Sequence, residues 1–193
     1  KNNYSKIIQM FYGQMVSRIF VENVVRSASY SPMCFFTLPI PTSTQDGSIN
    51  IIDCFNEFTK PETLNGDNQW KDDNGHFHDA VKKIDIWDFP QIMIVCLKRF
   101  DNFGRKRNDL IDFPVDNLDL TDYCIGYNKY KSHFELYGIC NHTGGAGFGH
   151  YYAYCRFKDD NWYAFNDRSV NKISPDKLVT NSAYCLFYRK NKL

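Results

Sequence analysis

Four short segments rich in aromatic and β-branched residues dominate the second half of the chain and limit its possible folds. They cover residues 133–140, 150–157, 162–166 and 183–189. Such residues favour strands, and runs of this length suit strands better than helices. The polar residues 158–161 predict a tight turn that pairs two of these segments as a hairpin. Together with an apolar run at 92–97, this pattern predicts a mainly antiparallel sheet.

The first half alternates irregularly between helical and strand-like patterns. Apolar residues at 7, 8, 11, 12 and 15 have helical spacing and lead into a β-branched strand at 16–25. After a connector at 42–48, apolar residues at 49, 52, 55 and 58 predict a second amphipathic helix. Residues 60–79 are polar and indicate an exposed loop or hairpin tip, and 174–179 predict a short helix. Because there is no internal repeat or long linker, the chain is predicted to be one α+β body.

Composition excludes several classes of protein. The 193 residues carry 23 Lys and Arg against 22 Asp and Glu, and a net charge of +1 argues against a nucleic-acid or anionic-membrane surface. No apolar run approaches the roughly 18 residues of a membrane span, so no membrane insertion is predicted. Seven cysteines without a Cys-x-x-Cys pair favour a reducing cytosol or nucleus over a disulfide framework. A helical pattern that starts at once, without Met, predicts a part of a longer protein.

A glycine-rich loop that ends at a histidine carries the clearest chemical signal. Residues 141–149 contain four glycines, and His150 then opens an aromatic strand. Asn166 ends the next predicted strand, so the predicted hairpin brings His150 and Asn166 near each other. A histidine held by Asn or Asp is the base and its orienting partner in cysteine and serine hydrolases. The pattern therefore predicts a base and its partner, with the nucleophile still to be found.

Three motifs around this pair resemble the histidine box of the ubiquitin-specific proteases. They are Gly-His-Tyr-Tyr-Ala-Tyr at 149–154, Trp-Tyr-Ala-Phe-Asn-Asp-Arg-Ser-Val at 162–170 and Ser-Ala-Tyr-Cys-Leu-Phe-Tyr at 182–188. Upstream, Leu-Lys-Arg-Phe at 97–100 and Leu-Pro-Ile-Pro at 38–41 resemble earlier landmarks of that family, so the resemblance covers nearly the whole chain. It implies a papain-like cysteine protease fold. The chain would be the C-terminal part of the catalytic domain, with fingers at about 11–90 and palm at about 91–193.

The resemblance also implies roles for individual residues. His150 matches the general base, Asn166 the residue that orients it, and Asp167 the adjacent polar residue of that motif. The expected reaction is thiol-dependent hydrolysis of the isopeptide bond after the C-terminal glycine of ubiquitin. The implied partners are ubiquitin and ubiquitinated proteins, and no cofactor is implied. The expected location is cytoplasmic, with an endosomal association indicated by residues 113–121, which resemble a subgroup acting at endosomes.

Three residues match the family's channel for the Gly-Gly end of ubiquitin. Gly149 and Tyr151 fall on channel-lining positions, as does the loop at 144–149. Phe148 stands where many relatives have glycine and adds bulk beside the channel.

Two departures from the family pattern affect the expected activity. None of the seven cysteines lies in the Asn-x-Gly-Asn-Thr-Cys type of sequence that carries the family's nucleophile, so this chain alone is expected to be inactive and to need a thumb segment with that box. Many relatives also carry two zinc-binding Cys-x-x-Cys knuckles in the fingers. Here Val21, Val24 and residues 71–75 stand at those places, so the fingers are expected to hold together without zinc.

Other interpretations stay open. If the parent protein has no Cys box, this chain is a non-catalytic module that binds ubiquitin or a scaffold partner. His76 and His78, with aspartates at 72, 73 and 79, could hold a metal in a zinc-dependent hydrolase, although such a polar loop is more often solvated surface. The basic residues 105–107 are interpreted as an exposed hairpin tip rather than a nucleic-acid contact.

Overall fold

The computed structural model describes residues 5–42 and 47–191, which form two α-helices and sixteen strands. The helices are α1 (Lys6–Phe11) and α2 (Ile51–Thr59). The strands are β1 (Gly13–Val21), β2 (Val24–Met33), β3 (Phe36–Leu38), β4 (Ile49–Asn50), β5 (Glu62–Leu64), β6 (Trp70–Lys71), β7 (Phe77–His78), β8 (Ala80–Asp88), β9 (Ile92–Leu97), β10 (Ile111–Asp112), β11 (Leu118–Asp119), β12 (His133–Gly145), β13 (Phe148–Arg156), β14 (Trp162–Asn166), β15 (Ser169–Ile173) and β16 (Ala183–Lys190). Neither helix has the length and hydropathy needed to cross a membrane.

Two large sheets organise the described residues, together with two separate strand pairs, β4 with β10 and β6 with β7. The smaller sheet has the strand order β2-β1-β8-β5 and is antiparallel throughout. The larger sheet has the order β15-β14-β13-β12-β16-β9-β3, and β11 also pairs with β12. Its neighbours are antiparallel except β3 and β9, which run parallel. The prediction of an α+β body with a mainly antiparallel sheet is therefore confirmed.

Helix α2 supplies one side of the hydrophobic core. Its buried residues Ile51, Cys54 and Phe55 lie on one face, as expected for an amphipathic helix. The Phe55 ring packs edge-on against Phe36, with 5.5 Å between ring centroids, and Phe36 belongs to β3 of the larger sheet. The helix thus packs against one face of that sheet, together with buried residues such as Met93.

A capping box fixes the start of α2. The Asn50 Oδ1 accepts hydrogen bonds from the backbone N–H groups of Ile52 and Asp53, and Asp53 Oδ2 accepts one from the Asn50 N–H. We expect Asn50→Ala to lower the free energy of unfolding by about 1 kcal/mol, because two helical N–H groups lose their acceptor. Urea unfolding measures this change. Asn65→Ala is the matched control, since Asn65 precedes a 3₁₀ turn without a side-chain cap, and an equal loss there would contradict the prediction.

The predicted elements match the structure with three differences. The strand expected at 16–25 is interrupted: β1 ends at Val21, Glu22 and Asn23 form a turn, and β2 begins at Val24. The four aromatic segments and the apolar run at 92–97 are strands, and the turn at 158–161 joins β13 to β14. The first helix is shorter than its apolar spacing indicates, because it ends at Phe11 and Met15 lies in β1. Gly13 explains this: a Cβ there would come within 2.4 Å of the Asp88 carbonyl oxygen, so β1 starts in close contact with the end of β8. The helix expected at 174–179 is a 3₁₀ turn at Pro175–Lys177, and the connector residues 43–46 lie outside the described residues.

Two hairpin turns line a common pocket, and we call them the outer hairpins (residues 21–24 and 70–78). The first joins β1 to β2 of the smaller sheet, and the second joins β6 to β7, which form a separate two-stranded sheet. Glu22 and Asn23 both have positive φ, the geometry of a two-residue hairpin turn. In the second hairpin, His78 Nε2 lies 3.0 Å from Asp72 Oδ2, and that hydrogen bond is the main cause that lowers the pKa of Asp72 to about 2. Within the described ranges, no group of three or more His, Cys, Asp and Glu side chains is arranged to hold a metal. Side-chain hydrogen bonding closes this hairpin.

Candidate active site

Two consecutive hairpins bring the predicted histidine and asparagine together. Strands β12 and β13 pair without a register shift, with Thr143 opposite His150. Strands β13 and β14 then pair through Ala153 and Phe165, which places Asn166 at the end of β14 next to the start of β13. His150 and Asn166 extend from the same face, so their side chains meet. This part of the sequence-based hypothesis is confirmed.

The geometry of the pair fixes the protonation pattern of the imidazole. His150 Nε2 lies 2.5 Å from Asn166 Oδ1. A carboxamide oxygen only accepts, so Nε2 carries the proton and donates it to Asn166, which leaves Nδ1 as the basic nitrogen of the neutral ring. The His150 side chain is 45% exposed, and the ring of Tyr152 stacks nearly parallel to it. His150 is therefore oriented by the protein and still accessible to a reacting group.

Asp167 lies beside the pair but does not replace Asn166. Its Oδ2 is 4.0 Å from His150 Nε2, beyond hydrogen-bonding distance, and its side chain is 79% exposed. Asp167 also has a positive φ of 51°, as the first residue of the turn into β15. The structure thus gives the role of hydrogen-bond partner to Asn166 and leaves Asp167 as a solvated neighbouring charge.

The glycine-rich loop before His150 depends on glycine at two places. Gly144 has a φ of 105°, a conformation that other residues adopt only with strain. Gly149 has a different constraint: a Cβ there would lie 2.3 Å from His142 Nε2 and 2.4 Å from the Thr143 carbonyl oxygen. The β12–β13 hairpin can approach itself this closely only without a side chain at position 149.

A cavity of about 530 Å³ lies along this loop. Gly149 and Tyr151, both predicted to line a channel, are among its lining residues, and so is Phe148. Phe148 is 75% exposed, and Tyr151 is 55% exposed. The three predicted channel residues therefore line one cavity, and His150 is not among its lining residues. Tyr151 and His150 are neighbours in β13, so their side chains project to opposite faces of the sheet. The role of the three channel residues in holding a substrate stays a prediction.

Sequence reasoning missed two lining residues, His142 and Phe100. His142 is buried in β12, where its ring lies 4.5 Å from the Tyr151 ring, and Phe100 follows β9. Burial, reinforced by the positive charge of Lys106, lowers the pKa of His142, so it is neutral near pH 7. The sequence did contain a signal for His142. It lies eight residues before His150, in the strand that must pair with β13 for the hairpin to form.

The interpretation of residues 105–107 as a plain exposed hairpin tip is wrong for two of the three. Lys106 Nζ donates a 2.6 Å hydrogen bond to the His142 carbonyl oxygen, and Arg107 bonds to the carbonyl oxygens of Ile40 and Pro41. Only Arg105 is largely exposed, paired with Asp101. The loop that carries these residues is thereby attached to the base of the glycine-rich hairpin.

Three of the cysteines lie on the face of the larger sheet opposite His150: Cys140, Cys155 and Cys185. Side chains alternate between the two faces along β13, so Ala153 and Cys155 project to the face opposite His150. Cys140 is paired with Ala153 and therefore lies on that opposite face as well. Cys185 pairs with Cys140 and shares that face. Burial raises the pKa of Cys54 to about 12, as expected for an inert core thiol. The thiols of Cys140, Cys155 and Cys185 therefore point away from His150.

Comparisons with known proteins identify the family of this chain. A family model described as ubiquitin carboxyl-terminal hydrolase matches residues 1–188. The chain is 38% identical over 148 residues to ubiquitin carboxyl-terminal hydrolase 15 of Homo sapiens, covering 74% of this chain and 15% of that protein. It is 39% identical over 155 residues to ubiquitin carboxyl-terminal hydrolase 8 of Arabidopsis thaliana, covering 77% of this chain and 18% of that protein. The chain thus spans less than a fifth of the length of these relatives.

Solved structures share the same fold. The yeast SAGA DUB module structure superposes with a TM-score of 0.82 at 28% identity, covering 100% of this chain and 44% of that chain. A SAGA DUB module bound to monoubiquitin superposes with a TM-score of 0.83 at 28% identity, covering 98% of this chain and 43% of that chain. With the family model matching nearly every residue, this chain belongs to the ubiquitin carboxyl-terminal hydrolase family and has the fold of a ubiquitin-specific protease domain.

Proposed function

We propose that this chain supplies the base half of a deubiquitinating cysteine protease, which hydrolyses the isopeptide bond after the C-terminal glycine of ubiquitin. The observation that carries the proposal is the 2.5 Å hydrogen bond between Asn166 and the exposed His150. Family membership and the likeness to a DUB module bound to monoubiquitin support it. The chain is the C-terminal part of the catalytic domain, with fingers at about 11–90 and palm at about 91–193.

The nucleophile in this proposal is a cysteine of a thumb segment outside these 193 residues. His150 Nδ1 takes the thiol proton, and the thiolate attacks the carbonyl carbon of the terminal glycine. The tetrahedral oxyanion then collapses, and His150 returns its proton to the departing lysine amine. Water, deprotonated by His150, hydrolyses the thioester. Asn166 keeps the imidazole in the tautomer that all of these steps require, without adding charge.

The cavity lined by Gly149, Tyr151 and Phe148 is proposed to hold the Gly-Gly end of ubiquitin. A narrow chain without side chains fits a surface whose own backbone approaches closely at Gly149. Phe148 stands exposed at the rim and adds an apolar contact. The free state of all seven cysteines supports a cytoplasmic location, and the likeness of residues 113–121 favours an endosomal association.

The test is hydrolysis of ubiquitin-aminomethylcoumarin by the full-length protein. Turnover that a thiol-alkylating reagent abolishes supports the enzyme. Binding of ubiquitin without turnover would instead support the second candidate, a non-catalytic ubiquitin-binding module, which the placement of Cys140, Cys155 and Cys185 on the face opposite His150 favours. The 193-residue chain alone is expected to be inactive in the same assay.

Asn166→Ala is expected to lower kcat about 10- to 100-fold with little change in KM, because the imidazole loses the acceptor that fixes its orientation. Asn166→Asp keeps an acceptor at the same position and should restore most of the turnover. Asn171→Ala is the matched control, since Asn171 lies on β15 and its amide bonds only to Ser169 among the hydrogen bonds found for it. An Asn166→Ala enzyme with unchanged kcat would contradict the assigned role.

A further inference from the structure

Three cysteines form a row across the larger sheet, on the face opposite His150. Cys96 in β9 is paired directly with Cys185 in β16, and Cys185 is paired directly with Cys140 in β12. Directly paired residues of antiparallel strands project from the same face with their side chains adjacent. All three thiols are free and half-buried. The proposed reaction of the family site uses none of them.

Cys96 and Cys185 are the closest pair in this row. Their Sγ atoms are 3.2 Å apart. Opposed residues of an antiparallel pair have Cα separations of about 4.5 or 5.5 Å, and both values lie within the roughly 4.4–6.8 Å that a disulfide spans. The backbone therefore already has the spacing of a disulfide, and only the side chains need to rotate.

The hydrogen bond between the two thiols makes their chemistry unequal. It is the main cause that lowers the pKa of Cys96 to about 7, and it raises the pKa of Cys185. When Cys96 is the thiolate, the Cys185 S–H donates to it. A substantial fraction of Cys96 is then thiolate near neutral pH, and the thiolate is the form that reacts with oxidants.

We propose that Cys96 and Cys185 are a peroxide-oxidisable pair that forms an intramolecular disulfide. The Cys96 thiolate attacks one oxygen of hydrogen peroxide, the O–O bond breaks, and hydroxide leaves, which gives a sulfenic acid on Cys96. The Cys185 sulfur, losing its proton to that hydroxide, then attacks the Cys96 sulfur and displaces its oxygen, which leaves as water after taking up a proton from solvent. Overall, two thiols and one peroxide give one disulfide and two waters.

The pair is close to the residues beneath the glycine-rich loop. Tyr184 precedes Cys185 in β16, and its ring lies 6.2 Å from Tyr151 and 5.8 Å from His142. Joining β9 to β16 at this point constrains the strand that supports both rings. The oxidation itself does not depend on the proposed function, because it uses only the thiols of this row and an external peroxide.

Peptide mapping of the full-length protein tests this proposal. Trypsin places the three cysteines on separate peptides: 84–98 holds Cys96, 178–189 holds Cys185, and 132–156 holds Cys140 with Cys155. After exposure to hydrogen peroxide and blocking of free thiols, we expect peptides 84–98 and 178–189 to be linked, about 2 Da lighter than the sum of the two thiol peptides. Reduction before digestion should separate them.

Variants separate the two steps. Cys185→Ser removes the second thiol, so Cys96 should remain as a sulfenic acid that dimedone captures, whereas Cys140→Ser should leave the disulfide unchanged. Cys34→Ser is a control at a cysteine outside the row. The proposal is overturned if wild-type protein links Cys185 to the Cys140 peptide instead, or if Cys96 and Cys185 both remain thiols at peroxide doses that oxidise Cys34. Because these outcomes are read from the peptide map of the wild-type protein, they test the proposal even if a variant unfolds.

Discussion

His150→Ala in the full-length protein is expected to lower kcat for ubiquitin-aminomethylcoumarin by about 10⁴-fold, with KM nearly unchanged. The expectation follows from the geometry of the proposed base. Nε2 is committed to Asn166, so Nδ1 is the one nitrogen of this ring that can take a thiol proton and return it to the leaving amine. Alanine removes both transfers but leaves the cavity beside Gly149 in place. Steady-state kinetics at saturating and limiting substrate separate the two parameters.

His133→Ala provides the control for this substitution. His133 lies at the start of β12, far along the strand from the loop, and its ring faces Asp119 at 3.7 Å. We expect its kinetics to match those of the wild type. Should the His150→Ala enzyme keep turnover within a few-fold of the wild type, the imidazole has no part in the reaction.

Gly149→Ala is expected to impair both stability and activity. The new methyl group would meet the Thr143 carbonyl oxygen at 2.4 Å and His142 Nε2 at 2.3 Å, distances that require the hairpin to open. Such overpacking lowers the free energy of unfolding by about 1–3 kcal/mol. A displacement of about 1 Å at the adjacent His150 can lower the reaction rate by about 10²-fold. Urea unfolding and kcat/KM of the same preparation measure the two effects.

Gly138→Ala tests whether the loss comes from that contact rather than from any added methyl group in β12. A Cβ at Gly138 would lie 3.5 Å from the Phe187 side chain, an ordinary van der Waals distance. This variant is expected to stay within about 1 kcal/mol of the wild type and to keep its rate. Equal losses in the two glycine variants would refute the steric explanation at position 149.

The local pattern of the sequence was enough to predict the His150–Asn166 pair. Segments rich in aromatic residues predicted two neighbouring strands, and the polar residues 158–161 predicted the turn between them. The closeness of the His150 and Asn166 side chains then followed from hairpin geometry. The motifs that resemble the ubiquitin-specific proteases then indicated a role for each residue. In both cases the information lies within a few tens of residues of the site.

The parts that could not be predicted depend on contacts between distant segments. Lys106 reaches the His142 carbonyl across 36 residues of sequence, and nothing in its basic neighbourhood distinguishes it from a solvated lysine. Arg99 is fully buried and donates from Nε to the Ala183 carbonyl oxygen, an arrangement that a charged residue in isolation does not indicate. Burial and pairing of this kind are set by the tertiary fold.

The hydrogen bond between Asp72 and His78 has a consequence for the biosynthesis of the second outer hairpin. Both partners belong to one short hairpin, so this link can form as soon as the segment leaves the ribosome, without delivery of an ion. Chelating agents do not act on such a link. Because the pKa of Asp72 is lowered to about 2, the link's contribution is present above the ordinary carboxyl range and is lost only as the pH falls toward that value. The acceptor therefore stays charged in every acidic compartment of a cell.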